Sequence, residues 1–175
     1  DNGSVKKNIA RWVAGHRDDI VGLTSDLIRF NTVNLVTDGT ERECQTFVAG
    51  VMEQIGLETR LYSPEEAPGF RGHPAYFPGK TYALRPNAAG RWRGRGGGRS
   101  LLFSSHTDTA VAAPGWTGSP WEPRVADGRL YGLGAFDMKG GLAASIMAVR
   151  CLRELGLRLA GDVTIESVVD EEFGG

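Results

Sequence analysis

The chain has 175 residues, 41% of them hydrophobic and 23% charged, an ordinary globular composition for one compact domain. Twenty basic residues against 21 acidic ones give a formal charge of -1, so no global bias points to a nucleic-acid or membrane partner. Cys44 and Cys151 stand far apart, outside any Cys-x-x-Cys spacing, which argues against a disulfide framework or a thiolate zinc site and fits a reducing, cytoplasmic setting. The first residues are polar with spaced apolar positions, unlike a signal peptide, and no stretch is apolar enough to span a bilayer.

Over residues 5–30, Ile9, Trp12, Val13, Ile20, Leu23, Leu27 and Ile28 fall at mostly helical spacing, which predicts one or two amphipathic helices. Thr40-Glu41-Arg42-Glu43 has the capping-box pattern, Phe47, Val51, Met52 and Ile55 continue the helical period, and Gly56 sits where a left-handed terminator belongs. A strand is expected over 57–62, then a long loop rich in Pro and Gly over 63–80. Residues 81–84 and 90–92 read as strands leading to a glycine turn at 94–98. The short apolar run at 100–105 reads as a buried central strand. Asp127-Gly128 signals a hairpin within 125–131. A helix over 138–155, ending at Gly156, and a core strand over 163–169 complete the series. Alternating strands and helices predict an α/β fold with a mostly parallel central sheet flanked by helices.

This order has a positional consequence. His106 and Asp108 follow one core strand, Glu171 and Glu172 follow another, and Asp137 precedes a helix. Ligand sites in open α/β sheets gather beyond the carboxyl ends of strands, so these groups can converge. Imidazole nitrogen and carboxylate oxygens suit zinc and similar divalent ions. Asp137, between glycine-rich turns and near a helix N-terminus, is the best candidate to bridge two ions. His106 would bind one ion, and Asp108 could accept its other ring N–H. Neighbours in an extended strand point to opposite faces, so Glu171 and Glu172 serve one site only if the chain turns there, as Gly174 and Gly175 would allow. One of the two would then bind metal while the other takes a proton from water. Each signal has a bland counterpart: a chance His-x-Asp, a solvated glutamate pair, an Asp137 helix cap.

The runs Leu101-Leu102-Phe103-Ser104-Ser105-His106-Thr107-Asp108-Thr109, Asp127-Gly128-Arg129-Leu130-Tyr131-Gly132, Gly134-Ala135-Phe136-Asp137-Met138-Lys139-Gly140-Gly141 and Asp170-Glu171-Glu172-Phe173-Gly174-Gly175 together resemble the zinc aminoacylase and carboxypeptidase G metallopeptidase family. Acetylornithine deacetylase and succinyl-diaminopimelate desuccinylase are members. The resemblance implies a zinc-exopeptidase-like catalytic domain with two divalent ions, zinc first and cobalt or manganese as alternatives. It implies His106 on one ion, Asp137 bridging, Glu172 on the other ion, Glu171 as general base and Asp108 orienting His106. The implied reaction is attack of metal-activated water on the amide of an N-acyl amino acid or short peptide. A dipeptidase, a carboxypeptidase or a truncated metal-binding module is the alternative.

Leu133 stands where the family usually has arginine. The family also needs a further acidic ligand and a second histidine downstream. Residues 1–175 are therefore expected to be the N-terminal part of a catalytic domain. Its lid and dimerisation domain and its C-terminal segment lie outside this chain, and the full-length form is expected to be a homodimer. His16 and His73 fall in no ligand motif. The run at 90–99, with its arginines, glycines and Trp92, raises nucleic-acid binding, but its place between strands favours a solvated hairpin loop. No phosphate loop, nucleophile elbow or His-Glu-x-x-His helix occurs.

Overall fold

A computed structural model describes residues 2–174. The main elements are helices α1 (Asn2–Gly15), α2 (Arg17–Ile28), α3 (Arg42–Gln54) and α4 (Gly140–Glu154), with strands β1 (Glu58–Tyr62), β2 (Asn87–Trp92), β3 (Leu101–His106), β4 (Arg124–Ala126), β5 (Arg129–Tyr131) and β6 (Val163–Val168). The N-terminal helical stretch breaks in two at His16, whose ring stacks on Trp12 with 3.8 Å between centroids. Gly56 closes the third helix with φ 82°, as expected. The capping box does not form. Thr40 instead donates to the Asn31 carbonyl, and the Glu41 side chain turns inward to a buried partner.

The α/β class holds, but the sheet is mixed rather than mostly parallel. Its order is β1-β2-β6-β3, with β1/β2 and β2/β6 antiparallel and β3/β6 parallel. The run at 100–105 is thus an edge strand among the described residues, and β6 is central. Residues 81–84 are not a strand. The reason lies in the glycine turn. β2 and β3 are close in sequence, yet β6 enters between them, passing beneath residues 94–98 with Arg95 N–H donating to the Leu159 carbonyl and Gly96 N–H to that of Ala160. A Cβ on Gly94 would stand 2.4 Å from the Gly161 carbonyl oxygen, and one on Gly161 only 1.9 Å from that of Arg99. Gly94, Gly98 and Gly161 therefore serve a close backbone crossing, while residues 95–100 are solvent-exposed but do not close a hairpin. Arg91 pairs with Asp162 and Arg93 with Glu58, so the basic run is partnered at those positions.

The core is the layer where α2, α3 and α4 meet one sheet face. Leu27, Val48, Met52, Leu142, Ile146, Val149 and Ile165 are buried there. Burial of each such side chain contributes roughly 1.5–3 kcal/mol. Gln45 of α3 donates to the Ser167 and Val168 carbonyls at 3.0 and 3.2 Å, fastening that helix to the end of β6. The opposite sheet face is more open, with Leu102 55% exposed. β4 and β5 form the expected hairpin, with Asp127 and Gly128 at φ 52° and 72°. The fourth helix begins at Gly140, two residues later than the sequence indicates, after an irregular segment at Ala135–Lys139. Among the described residues no helix is long and apolar enough to cross a membrane.

Candidate metal centre

His106 ends β3 directly beside Val168 at the end of the parallel strand β6. The segments that follow, 107–109 and 169–172, therefore leave the sheet side by side. The segment after β6 turns at Asp170, a non-glycine residue with φ 68°, and the short helix Glu171–Phe173 follows. Gly174 also has positive φ, while Gly175, expected to share the turn, lies outside the described residues. Asp137 arrives from the segment before α4. Close approach there needs glycine: a Cβ on Gly134 would lie 2.7 Å from Thr109 Cγ2, and one on Gly140 2.6 Å from the Ala135 carbonyl oxygen. Asp137 is not the helix cap, a place taken by Lys139.

The result is a cluster. One ligand-capable atom from each of His106, Asp137 and Glu172 lies within 4.8 Å of the other two. His106 is buried, and its Nε2 faces Asp137 Oδ1 at 3.2 Å and Glu171 Oε2 at 3.5 Å. Its Nδ1 faces the Asp108 backbone carbonyl at 3.0 Å and the Asp108 carboxylate at 3.5 Å. With Nδ1 donating to that carbonyl, Nε2 keeps its lone pair toward the carboxylates. Burial alone would depress the imidazole pKa, but Asp108 and Glu171 outweigh it and push the value up to about 9. A ring so surrounded calls for a cation, whether proton or metal.

Asp108 has a second task. Its fully buried carboxylate accepts the Glu171 and Glu172 amide N–H groups at 3.2 and 3.1 Å and Asn34 Nδ2 at 2.9 Å. Burial pushes this carboxyl upward, and these donors together with His106 more than offset it, leaving the pKa below the ordinary value. Glu172 is shifted the other way, upward, chiefly by burial.

Around this cluster lies a buried polar shell that sequence reasoning missed. Asp170 accepts from Lys80 at 2.7 Å, Tyr82 at 2.9 Å, Asn34 at 2.9 Å and Arg85 at 3.3 Å. Arg85 also grips Glu41 through two nitrogens at 2.8–3.0 Å, with both side chains fully buried. Asn34 reaches the site because its own amide donates to the Thr109 carbonyl. Lone charges in separate loops announce no pairing in one sequence. His16 and His73 stand outside the cluster, as expected. A groove of about 920 Å³ between the helices includes none of the cluster residues.

Residues 102–175 match the model of peptidase family M20/M25/M40. Over that stretch, 74 of its 175 residues, the chain is similar to this family. The M20 match includes all five expected site residues, whereas Asn34, Glu41, Lys80, Tyr82 and Arg85 precede it. The N-formyl-4-amino-5-aminomethyl-2-methylpyrimidine deformylase of Bacillus subtilis is 29% identical over 171 residues, 95% of this chain and 36% of that protein. The succinyl-diaminopimelate desuccinylase of Gluconobacter oxydans is 33% identical over 156 residues, 88% of this chain and 35% of that protein. Human carnosine dipeptidase 1 shares the fold with a TM-score of 0.72 at 23% identity, over 97% of this chain and 35% of its own. The chain thus spans about a third of the length of the curated relatives it matches.

Proposed function

We propose that this chain is the N-terminal part of the catalytic domain of a metal-dependent hydrolase that cleaves the amide bond of an N-acyl amino acid. The observation that carries this reading is the convergence of His106, Asp137 and Glu172 within 4.8 Å at the end of the parallel strand pair. The family match and the two acyl-removing relatives, a deformylase and a desuccinylase, support it. A dipeptidase or carboxypeptidase is the second reading, and the dipeptidase neighbour, at 23% identity, speaks for the fold alone.

The donor set fits a divalent ion. One imidazole nitrogen with its tautomer fixed by a carbonyl, together with two carboxylates, suits zinc first and cobalt or manganese next. Two ions are proposed, His106 serving one, Glu172 the other and Asp137 both, with the remaining ligands supplied from outside this chain. When bound, the metal supplies Lewis acidity that polarises an amide carbonyl and acidifies water. Glu171, exposed and 3.5 Å from His106 Nε2, takes the proton of the attacking water and returns it to the leaving nitrogen. Asp108 holds the His106 ring and the Glu171–Glu172 turn in register. The partner is a small N-acyl amino acid or short peptide, the complete protein is a homodimer, and two buried free thiols support a cytoplasmic setting.

The test is hydrolysis by the zinc-loaded complete protein of N-acetyl, N-formyl and N-succinyl amino acids beside unblocked dipeptides. Higher kcat/KM on an acylated amino acid, lost to a chelator and restored by zinc, is expected. Turnover of dipeptides alone would establish the second reading instead.

A further inference from the structure

We propose that Lys80 is a positioning residue that fixes the Glu171–Glu172 pair, an inference that rests on the reading of those glutamates as base and ligand. Lys80 comes from the end of the long Pro- and Gly-rich loop, some 90 residues from the turn it touches. Its side chain is 1% exposed. The Nζ donates to Asp170 Oδ2 at 2.7 Å and to the Phe173 carbonyl at 2.9 Å. These two acceptors flank the glutamates on either side. One ammonium therefore staples the two ends of the segment that carries both functional carboxylates, while Asp108 holds the two intervening amides. The Phe77 ring, its centroid 5.3 Å from Nζ, covers the cation from the loop side.

The placement is specific to a cation with several N–H donors. Asp170 stands at φ 68°, a conformation that a non-glycine residue holds only when its surroundings fix it, and its carboxylate is saturated by Lys80, Tyr82, Asn34 and Arg85. Arg85 and Asn34 engage Oδ1, whereas Lys80 alone among these donors also reaches the far side of the turn at Phe173. Without Lys80, Asp170 keeps a charged partner but the Phe173 end is released. The segment carrying Glu171 and Glu172 would then be held at Asp170 and through its amides, but not at the Phe173 end. Neither carboxylate touches Lys80, so its effect passes through backbone geometry.

The experiment uses the complete protein and its Lys80→Met variant, with zinc alone as the binding probe in competition with a chromophoric chelator. Zinc affinity is expected to fall at least about tenfold, and kcat about 10–100-fold, the range for residues supporting metal ligands, with KM changed less than about threefold. On a Glu171→Gln background, which retains metal without turnover, Lys80→Met should still weaken zinc binding by the same factor. If Lys80→Met does not fold, Lys80→Gln, which keeps a neutral donor, carries the same comparison. A folded variant with zinc affinity and kcat within about twofold of wild type overturns the proposal, as does a loss confined to KM. A wild-type protein that neither binds zinc nor hydrolyses amides defeats the functional reading first, and the Lys80 proposal with it.

Discussion

The His106 ring is fixed at both nitrogens, by the Asp108 carbonyl at 3.0 Å and by Asp137 at 3.2 Å. In the metal-free protein its pKa is raised to about 9, so the proton it gains stabilises the fold below the ordinary histidine value, and that stabilisation is lost as pH rises through about 9. A metal must displace this proton near neutrality. Zinc binding at pH 7 should therefore release about one proton from the ring, and affinity should weaken by up to about tenfold per unit as pH falls. Calorimetry in buffers of different ionisation enthalpy reads this directly, and a buffer-independent enthalpy would count against it. The two glutamates separate by substitution. Glu171→Gln in the complete protein should abolish turnover while retaining metal, whereas Asp137→Ala should lose both, as metal analysis beside the assay will show. Metal loss in Glu171→Gln would reverse the glutamate roles. All five of these residues were legible in the sequence because ligand chemistry restricts the side chains that can serve. Asn34, Lys80 and Arg85 were not, because a buried hydrogen-bond partner is chosen by three-dimensional proximity alone.

Secondary structure was legible wherever periodicity and local turn chemistry agree, as in α4 and the Asp127-Gly128 hairpin. It failed where tertiary insertion decides. Nothing local in residues 87–106 says that β6 will enter between β2 and β3, so the parallel reading was natural and the antiparallel pairing of β2 unforeseen. That pairing matters for the site. Running against β6, β2 starts where β6 ends, and Val169 N–H donates to Asn87 Oδ1 there. Lys80, Tyr82 and Arg85 are thereby delivered to the same end of the sheet. The crossing makes a sharp prediction: Gly161→Ala should destabilise by at least about 1–3 kcal/mol, the cost of overpacking, because its Cβ would meet the Arg99 carbonyl. Gly22→Ala, in an open position on α2, should stabilise by roughly 0.5–1 kcal/mol. Urea unfolding of both variants gives the contrast, and equal effects would refute the crossing. Arg85→Met leaves Glu41 buried without its partner and should cost roughly 3–5 kcal/mol in the same measurement.

Across the whole molecule, the site is an assembly of segments far apart in sequence. Ligand groups come from the ends of β3 and β6 and from the segment before α4, and the groups that brace them come from residues 34–85 together with Asp108 and Asp170. The bracing charges nearly balance, with Lys80 and Arg85 set against Glu41, Asp108 and Asp170, and His106 or a bound metal supplying the missing positive charge. An electrostatic arrangement of this kind is complete only with a cation at His106 Nε2. The most direct measurement is a crystal structure of the complete protein grown with zinc, with anomalous diffraction recorded at the zinc edge. Two anomalous peaks are the predicted result, one bonded by His106 Nε2 and the other by Glu172, with carboxylate oxygens of Asp137 on both. Zinc bound elsewhere, with these three side chains free of metal, would contradict it.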